Sequence, residues 1–184
     1  LQTINIPGSV TSVGQYAFSQ CSQLQEVRIL EGVQTIDRFA FNDCRKFSTV
    51  ILPSTLIKIE DYAFYKCKAL SQIYCYSAIP PEIGYRTIKQ TDVGLGSGGF
   101  MVKAPRKYVN GYTDISETFT EPTVKTGMLN VPYGSIEAYR NADFWHNFVN
   151  ITGFDTSQSL PVSAVIMPNS VETKIYDING VQQD

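Results

Sequence analysis

Three of the four cysteines, Cys21, Cys44 and Cys67, follow one another at a constant interval of 23 residues, and Cys75 comes soon after. Thiols can hold a metal, form a disulfide or simply pack as small apolar groups. A zinc site would need four converging ligands, and the single histidine, His146, is far from the cysteines in sequence. We therefore interpret the cysteines as a column of buried thiols, with a disulfide between neighbours as an open alternative. No metal and no cofactor is expected.

A second pattern with the residue types of a chemical site is Gly94-x-Gly96-x-x-Gly99, which satisfies the dinucleotide-binding fingerprint literally. The fingerprint works only between a buried strand and a helix, because the helix N-terminus faces the pyrophosphate. The preceding segment 87–92 is a poor buried strand, and Pro105 would break a following helix. We interpret the glycines as a loop. His146 has Asp143 three residues before it, but we expect a surface or packing role, and we predict that the chain is not an enzyme.

Composition excludes further classes of partner. The chain has 184 residues, of which 43% are hydrophobic and 17% charged, the balance of a globular protein. The formal net charge of -2 favours neither nucleic acid nor an anionic membrane. No apolar run approaches the roughly 20 residues that span a bilayer. We therefore expect neither nucleic-acid binding nor a membrane span in this chain.

The cysteine interval belongs to a repeat that covers the first part of the chain. Segments 1–23, 24–46 and 47–69 align without a gap, and a fourth copy begins at Leu70. Each copy opens with L-x-x-I-x-I or an equivalent, whose alternation predicts a half-buried strand. A turn, a second short strand and an aromatic-Ala-Phe element ending at the cysteine follow. One such unit cannot bury its own apolar face, so the copies must stack as a solenoid.

The pattern L-x-x-I-x-I-P-x-x-V-x-x-I-x-x-x-A-F-x-x-C resembles the BspA-like class of leucine-rich repeats, with Leu30 replacing the turn proline in the second copy. The resemblance implies an α/β solenoid: a right-handed leucine-rich repeat of 23-residue period, β-rich with short helical turns and capped C-terminally. It also implies a bacterial surface or secreted protein, extracellular, that binds host proteins or other cells.

The organisation along the chain follows from where the repeat stops and reappears. We predict a solenoid over 1–154, with an insertion at 85–125 that begins after Pro80-Pro81 and carries several glycines and prolines. The string from Met128 to Ile151 is similar to a final BspA-like repeat, and its large aromatics suit a cap at 128–151. Residues 155–184 are interpreted as a linker and a partial small β module, similar to the opening of a C-terminal sorting module that is truncated here.

The predicted binding surface is the outward side of the strands, where the core makes no demand on residue type. Solenoids bind along such extended faces. The function predicted is adhesion, through this face and the insertion, by a monomer that recognises a host or cell-surface protein or possibly a polysaccharide. A structural spacer or accessory domain in a larger secreted protein is the alternative. The candidate ligand-binding residues are Thr3, Asn5, Glu26, Arg28, Thr49, Ile51, Gln72, Tyr74 and Tyr76.

Overall fold

The structure, a computed structural model, describes residues 2–84, 86–89, 107–109, 112–115, 118–157, 175–176 and 182–183. Statements below refer to these residues. The Gly94–Gly99 motif and most of the predicted insertion and terminal module lie outside them. The strands are β1 (Thr3–Ile6), β2 (Ser12–Val13), β3 (Glu26–Ile29), β4 (Thr35–Ile36), β5 (Thr49–Leu52), β6 (Lys58–Ile59), β7 (Gln72–Cys75), β8 (Glu82–Ile83), β9 (Arg86–Lys89), β10 (Lys107–Val109), β11 (Tyr112–Ile115), β12 (Met128–Pro132), β13 (Asn150–Phe154), β14 (Ile175–Tyr176) and β15 (Gln182–Gln183).

Two parallel sheets run the length of the repeat region. The larger has six strands in the order β1-β3-β5-β7-β12-β13, and the smaller has four in the order β2-β4-β6-β8. Ile4 pairs with Val27, Val27 pairs with Val50, and Val50 pairs with Ile73. Partners in the repeat are 23 residues apart, so the sequence period is the structural period. The predicted leucine-rich-repeat solenoid is confirmed, and so is its second short strand.

The core is built from ladders of identical positions in successive repeats. The Phe18, Phe41 and Phe64 rings stack with centroids 5.3 and 5.4 Å apart, and Phe41 is fully buried. Each buried side chain of this size contributes roughly 1.5–3 kcal/mol through removal of apolar surface from water. The aromatic-Ala-Phe element therefore joins each repeat to the next.

The turns that carry these rings differ from a continuous helix. Hydrogen bonds from Ser19 N to Tyr16 O and from Cys21 N to Phe18 O span three residues, as in the short helical turns that the family resemblance implies. Tyr16 and Gln20, however, have φ of 59° and 62°, and the same positions of the next two repeats are also left-handed. A left-handed non-glycine residue costs roughly 1–2 kcal/mol, so packing between repeats must offset this cost.

The fourth repeat is completed by residues that lie far along the chain. Gly84 N donates to Ile59 O, as in the earlier repeats. The next described contact of this kind comes from Thr118, whose carbonyl accepts a hydrogen bond from Phe64 N at 2.9 Å. The neighbouring Phe119 stacks on Phe64 with centroids 5.0 Å apart. Thr118 and Phe119, within the range predicted as an insertion, thus occupy the Ala-Phe positions of the fourth repeat.

The end of the solenoid is closed by aromatic residues and short helices. The helices are α1 (Glu121–Thr126) and α2 (Ile136–Asn141), with 3₁₀ turns at Tyr133–Ser135 and Trp145–Asn147. Trp145 Nε1 donates to Pro81 O at 2.7 Å, and Tyr139 Oη donates to Ser77 O at 2.9 Å. Both rings are buried, so their polar atoms bind the fourth repeat while their apolar surfaces cover its core.

Antiparallel pairing occurs in the two remaining small sheets. β9, β10 and β11 form a three-stranded sheet in the order β10-β11-β9, and β14 pairs with β15.

Candidate functional site

The outward side chains of the larger sheet form rows across neighbouring strands, which we call the strand face. The first row is Thr3, Glu26, Thr49, Gln72, Met128 and Asn150, and the second is Asn5, Arg28, Ile51, Tyr74, Asn130 and Thr152. The rows arise because parallel pairing keeps equivalent residues in register while alternate side chains point to opposite sides. The structure therefore places eight of the nine predicted residues, all but Tyr76, in these two rows.

Glu26 and Arg28, two residues apart on β3, form an ion pair on the strand face. Arg28 Nε donates to Glu26 Oε1 at 2.7 Å, and both side chains are largely covered. The alternation of a strand places residues i and i+2 on the same side, which permits this contact. The two charges neutralise each other locally.

Ile51 and Tyr76 are more covered than an exposed interface anchor would be. Each is only 7% exposed. Ile51 is flanked by Arg28 on one side and Tyr74 on the other, so its neighbours shield it. These two residues form the floor of the strand face, and Tyr74 is its half-buried aromatic residue.

An aromatic cluster forms where β13 joins the strand face. Phe154 contacts the rings of Tyr76 and Tyr74 edge-on, with centroids 4.9 and 6.1 Å away. Sequence reasoning missed Phe154, which stood at the edge of the predicted linker. An alignment of Asn150–Phe154 with the earlier strands would have predicted it, because this alignment makes Phe154 equivalent to Tyr76.

Asn130 is a second residue of the strand face that the sequence analysis did not select. Its amide Nδ2 lies 3.2 Å from Ile73 O and 3.4 Å from Gln72 Oε1. Alignment of Leu129-Asn130-Val131 with Ile4-Asn5-Ile6 would have placed it there. Amide side chains thus connect β12 to β7 in the middle of the face.

A shallow depression lies beside these residues at the carboxyl ends of β3 and β5. Most of its space is open to solvent, and its enclosed volume of about 10 Å³ has room for about one water molecule rather than for a small-molecule ligand. It is lined by Arg28, Ile29, Leu30, Glu31, Ile51, Pro53 and Tyr76. The depression suits one group of a larger ligand that extends over the strand face.

The Tyr76 hydroxyl is a polar group within this apolar floor. Its oxygen is buried and has no hydrogen-bond partner among the residues that the structure describes. Burial raises the pKa of Tyr76 to about 12, while Arg28 opposes the shift and Tyr74 and Glu31 add to it. The phenol is therefore a neutral donor at physiological pH.

Cys44, Cys67 and Cys75 are buried as predicted, whereas Cys21 is half-buried, and all four cysteines are free thiols. Cys44 Sγ and Cys67 Sγ donate to the carbonyls of Phe18 and Phe41, both at 3.0 Å. Burial raises the pKa of the Cys67 thiol strongly and that of the Cys75 thiol to about 11. Thiols held neutral in this way are poor nucleophiles.

Within the described ranges, no group of three or more His, Cys, Asp and Glu side chains could hold a metal ion. His146 is exposed, and its Nδ1 lies 2.9 Å from Ala142 O. Of the helices in the described part of the chain, none has the length and apolar character needed to cross a bilayer.

Comparison with known proteins places these observations among relatives. Residues 1–94 match the family described as "BspA type Leucine rich repeat region", in six copies. The crystal structure of a leucine rich cell surface protein from Faecalibacterium prausnitzii A2-165 is similar, with 28% sequence identity and a TM-score of 0.30. The similar region covers 45% of this chain and 26% of that chain, so it spans about a quarter of that protein. No curated protein matches the chain significantly.

Proposed function

The chain belongs to the BspA-type leucine-rich repeat family, and on that premise we propose that it is a non-enzymatic binding module of a bacterial cell-surface or secreted protein. Its ligand is a protein or polysaccharide of a host or another cell, bound on the strand face. The adhesive role and the extracellular location are the ones that the family resemblance implies.

The observation that carries the proposal is the composition of the strand face. Inward positions of the strands are apolar and buried, so the core accounts for them. Outward positions are free of that demand, yet they include the half-buried aromatic Tyr74, which pairs with the covered Ile51 and contacts the ring of Phe154. Apolar and aromatic side chains surrounded by polar ones are the composition of a binding surface.

Binding without catalysis fits the electrostatics of the same surface. Glu26 and Arg28 are paired with each other, and the Tyr76 phenol stays protonated. General acid-base work requires a group with its pKa near the working pH, and the pKa of the Tyr76 phenol, raised to about 12 by burial, is far above it. The face is therefore proposed to hold a ligand rather than to transform it.

The test is a charge placed on the strand face. Thr49, half-buried in the first row and paired with Glu26 on β3, is replaced in Thr49→Lys, which adds a longer, charged side chain to the face without removing a core side chain. Ile57, an exposed residue outside the strand face, supplies the matched control Ile57→Lys. Both variants and the wild type are measured by biolayer interferometry against fibronectin, fibrinogen, collagen and a panel of neutral and acidic polysaccharides.

We expect at least one probe to bind and Thr49→Lys to weaken it by about tenfold or more, with Ile57→Lys unchanged. Both variants should keep the wild-type melting temperature to within a few degrees. Equal binding by the two variants would exclude the strand face. Failure of every probe would favour the spacer or accessory-domain alternative.

A further inference from the structure

The turns that lead into β5 and β7 carry a concentration of positive charge. Four cations lie there with a single carboxylate, and we call the five residues the turn patch: Asp43, Arg45, Lys46, Lys66 and Lys68. They give the patch a net charge of +3, on a chain whose formal net charge is -2. Basic clusters of this kind attract polyanions. The patch precedes the amino ends of the two strands, whereas the depression on the strand face lies at carboxyl ends, so the two are separate surfaces.

The repeat brings the two turns together. Asp43 N donates to Tyr65 O at 2.8 Å, so the turns of the second and third repeats are adjacent. The 23-residue interval places Arg45 beside Lys68, and Asp43 beside Lys66. A hydrogen bond from Arg45 lowers the pKa of the Asp43 carboxyl, and the charges of the two lysines lower it further. The cations of both turns therefore act on the same small region.

The single carboxylate neutralises only one of these cations. Arg45 Nε and Nη2 donate to the two carboxylate oxygens of Asp43, at 3.1 and 3.3 Å. In the described part of the chain, no carboxylate lies within 4.0 Å of the amino group of any of the three lysines. Lys46 Nζ instead donates to a neutral oxygen, Gln23 Oε1, at 2.8 Å. All three lysines are exposed, and their charges are left without a counter-charge.

Two other exposed cations show the contrast. Lys58 Nζ lies 3.0 Å from Glu60 Oε1, and Arg140 Nη1 lies 2.6 Å from Glu137 Oε1. Like charges on neighbouring strands or turns repel each other and lower stability. The turn patch has this repulsion without the carboxylates that would relieve it, and a bound polyanion would supply the missing negative charge.

The surroundings of the turn patch discriminate between anionic partners. The apolar side chains of these turns are buried in the core: Cys44, Phe47, Cys67 and Leu70. None of the exposed large hydrophobic residues of the described chain belongs to the turns, and the half-buried Tyr65 ring lies under Lys66. A protein partner needs apolar anchors at the centre of its interface, and single-stranded nucleic acid stacks its bases on exposed rings. The patch offers charge alone, which favours a ligand that binds through its anionic groups.

The spacing of the cations indicates the charge density of that ligand. The lysines lie on two neighbouring turns, whose backbones are about 4.8 Å apart, one strand spacing. A polysaccharide with several sulfate groups in each disaccharide brings anions this close together, whereas one with a single carboxylate in each disaccharide does not. Lysine ammonium groups are compact charges on flexible stems, so they can follow the irregular positions of sulfate groups along such a chain.

We propose that the turn patch binds a highly sulfated polysaccharide, whose sulfate groups contact Lys46, Lys66 and Lys68. Arg45 supplies the donors that Asp43 leaves unused. This surface is not the strand face, so the inference goes beyond the proposed function and stands independently of it.

The test measures the binding of the full chain to immobilised heparin, the sulfated probe, by surface plasmon resonance over a series of salt concentrations. Lys66→Gln combined with Lys68→Ser removes two cations and copies the residues that the first repeat has at these positions, Gln20 and Ser22, so the fold should tolerate it. Fully desulfated heparin, hyaluronate and dextran are measured beside heparin. Polyglutamate, duplex DNA and phosphatidylserine vesicles represent polyanions of other classes.

Two further variants complete the set. Lys58→Gln combined with Arg140→Gln is the matched control, because it makes the same change in net charge on other surfaces. Asp43→Asn removes the only carboxylate of the turn patch and frees Arg45. Its φ of 57° is a conformation that asparagine adopts readily. Tighter heparin binding by Asp43→Asn cannot result from loss of the fold.

We expect heparin to bind more tightly than every other probe. The variant without Lys66 and Lys68 should bind heparin about tenfold more weakly or less at low salt, and the slope of log affinity against log salt should flatten by up to about two, because two ionic contacts are lost. The control should bind as the wild type does, and Asp43→Asn should bind severalfold more tightly. All variants should keep the wild-type melting temperature to within a few degrees.

Several outcomes would overturn the assignment. Absence of heparin binding at low salt, binding that does not depend on sulfation, or an equal loss in the two double variants contradicts it. Tighter binding of polyglutamate, duplex DNA or the vesicles would give the patch to another class of partner. Heparin binding that only the turn variants change, with no probe responding to Thr49→Lys, would leave this inference standing and refute the proposed function. The reverse pattern would refute this inference alone.

Discussion

The ring of Phe154 lies edge-on against the ring of Tyr76, with centroids 4.9 Å apart and an interplanar angle of 75°. Phe154 ends β13 and Tyr76 directly follows β7, and these two strands are not neighbours, because β12 lies between them. The β12 residue that pairs with Phe154 is Pro132. The contact therefore reaches across a strand and joins the last strand of the larger sheet to the aromatic part of the strand face.

We expect Phe154→Ala to destabilise the protein by about 1–2 kcal/mol, because it removes a half-buried ring and two aromatic contacts. Urea denaturation followed by circular dichroism measures the loss. Val149, exposed on the same segment, gives the control Val149→Ala, which should change the free energy of unfolding by less than about 0.5 kcal/mol. Equal effects of the two substitutions would show that the cross-strand contact contributes nothing.

Phe119→Ala tests whether the fourth repeat is completed by a residue from within the range predicted as an insertion. Phe119 is buried and stacks on Phe64, so its truncation should cost about 3–5 kcal/mol, as should Phe41→Ala in the second repeat. The measurement is the same urea titration. A loss under about 1 kcal/mol for Phe119→Ala, beside a large loss for Phe41→Ala, would place Phe119 outside the ladder.

Gln20→Gly should stabilise the protein by about 0.5–1 kcal/mol. Gln20 is exposed and has φ of 62°, a conformation that glycine adopts without the steric cost of a Cβ. Gln15, exposed in the same turn without a positive φ, is the control, and Gln15→Gly should destabilise by up to about 1 kcal/mol. Melting temperatures that shift in the same direction for both variants would contradict the prediction.

Stability should fall in the alkaline range, and Cys75 should account for part of the loss. Burial raises the pKa of its thiol from 9.0 to about 11 in the fold. The unfolded thiol thus loses its proton at lower pH than the folded one. The stability contributed is fully present below about pH 9 and is lost as the pH rises towards 11, to the extent of about 3 kcal/mol.

The check is the slope of the free energy of unfolding against pH between these values. The free energy of unfolding of Cys75→Ala should fall less steeply with pH, and the difference from the wild type should correspond to at most one bound proton. Val149→Ala should keep the wild-type slope. A Cys75→Ala slope equal to that of the wild type would show that the thiol titrates alike in both states.

The 23-residue interval of the sequence predicts much of this architecture. Apolar residues at Leu24, Val27 and Ile29 recur in each copy, and only stacking of the copies can bury them all. The same interval separates the outward residues Thr3, Glu26 and Thr49, so their alignment in one row follows from the period alone. Local pattern and global fold agree there, which is why the prediction succeeded.

Tertiary structure decided the features that depend on residues distant in sequence. Phe64 and Phe119 stack on each other but are not separated by the 23-residue interval of the repeat, so the period could not predict their contact. The next described residue in the ladder after Gly84 is Thr118. The exposure of Ile51 and Tyr76 depends on the length and rotamers of the side chains around them, which a one-dimensional pattern does not contain. The sequence by itself determined the solenoid and its rows. Only packing across strands determined that Phe154 covers Tyr76 and that the Tyr76 hydroxyl has no partner in the described fold, since both depend on which atoms meet.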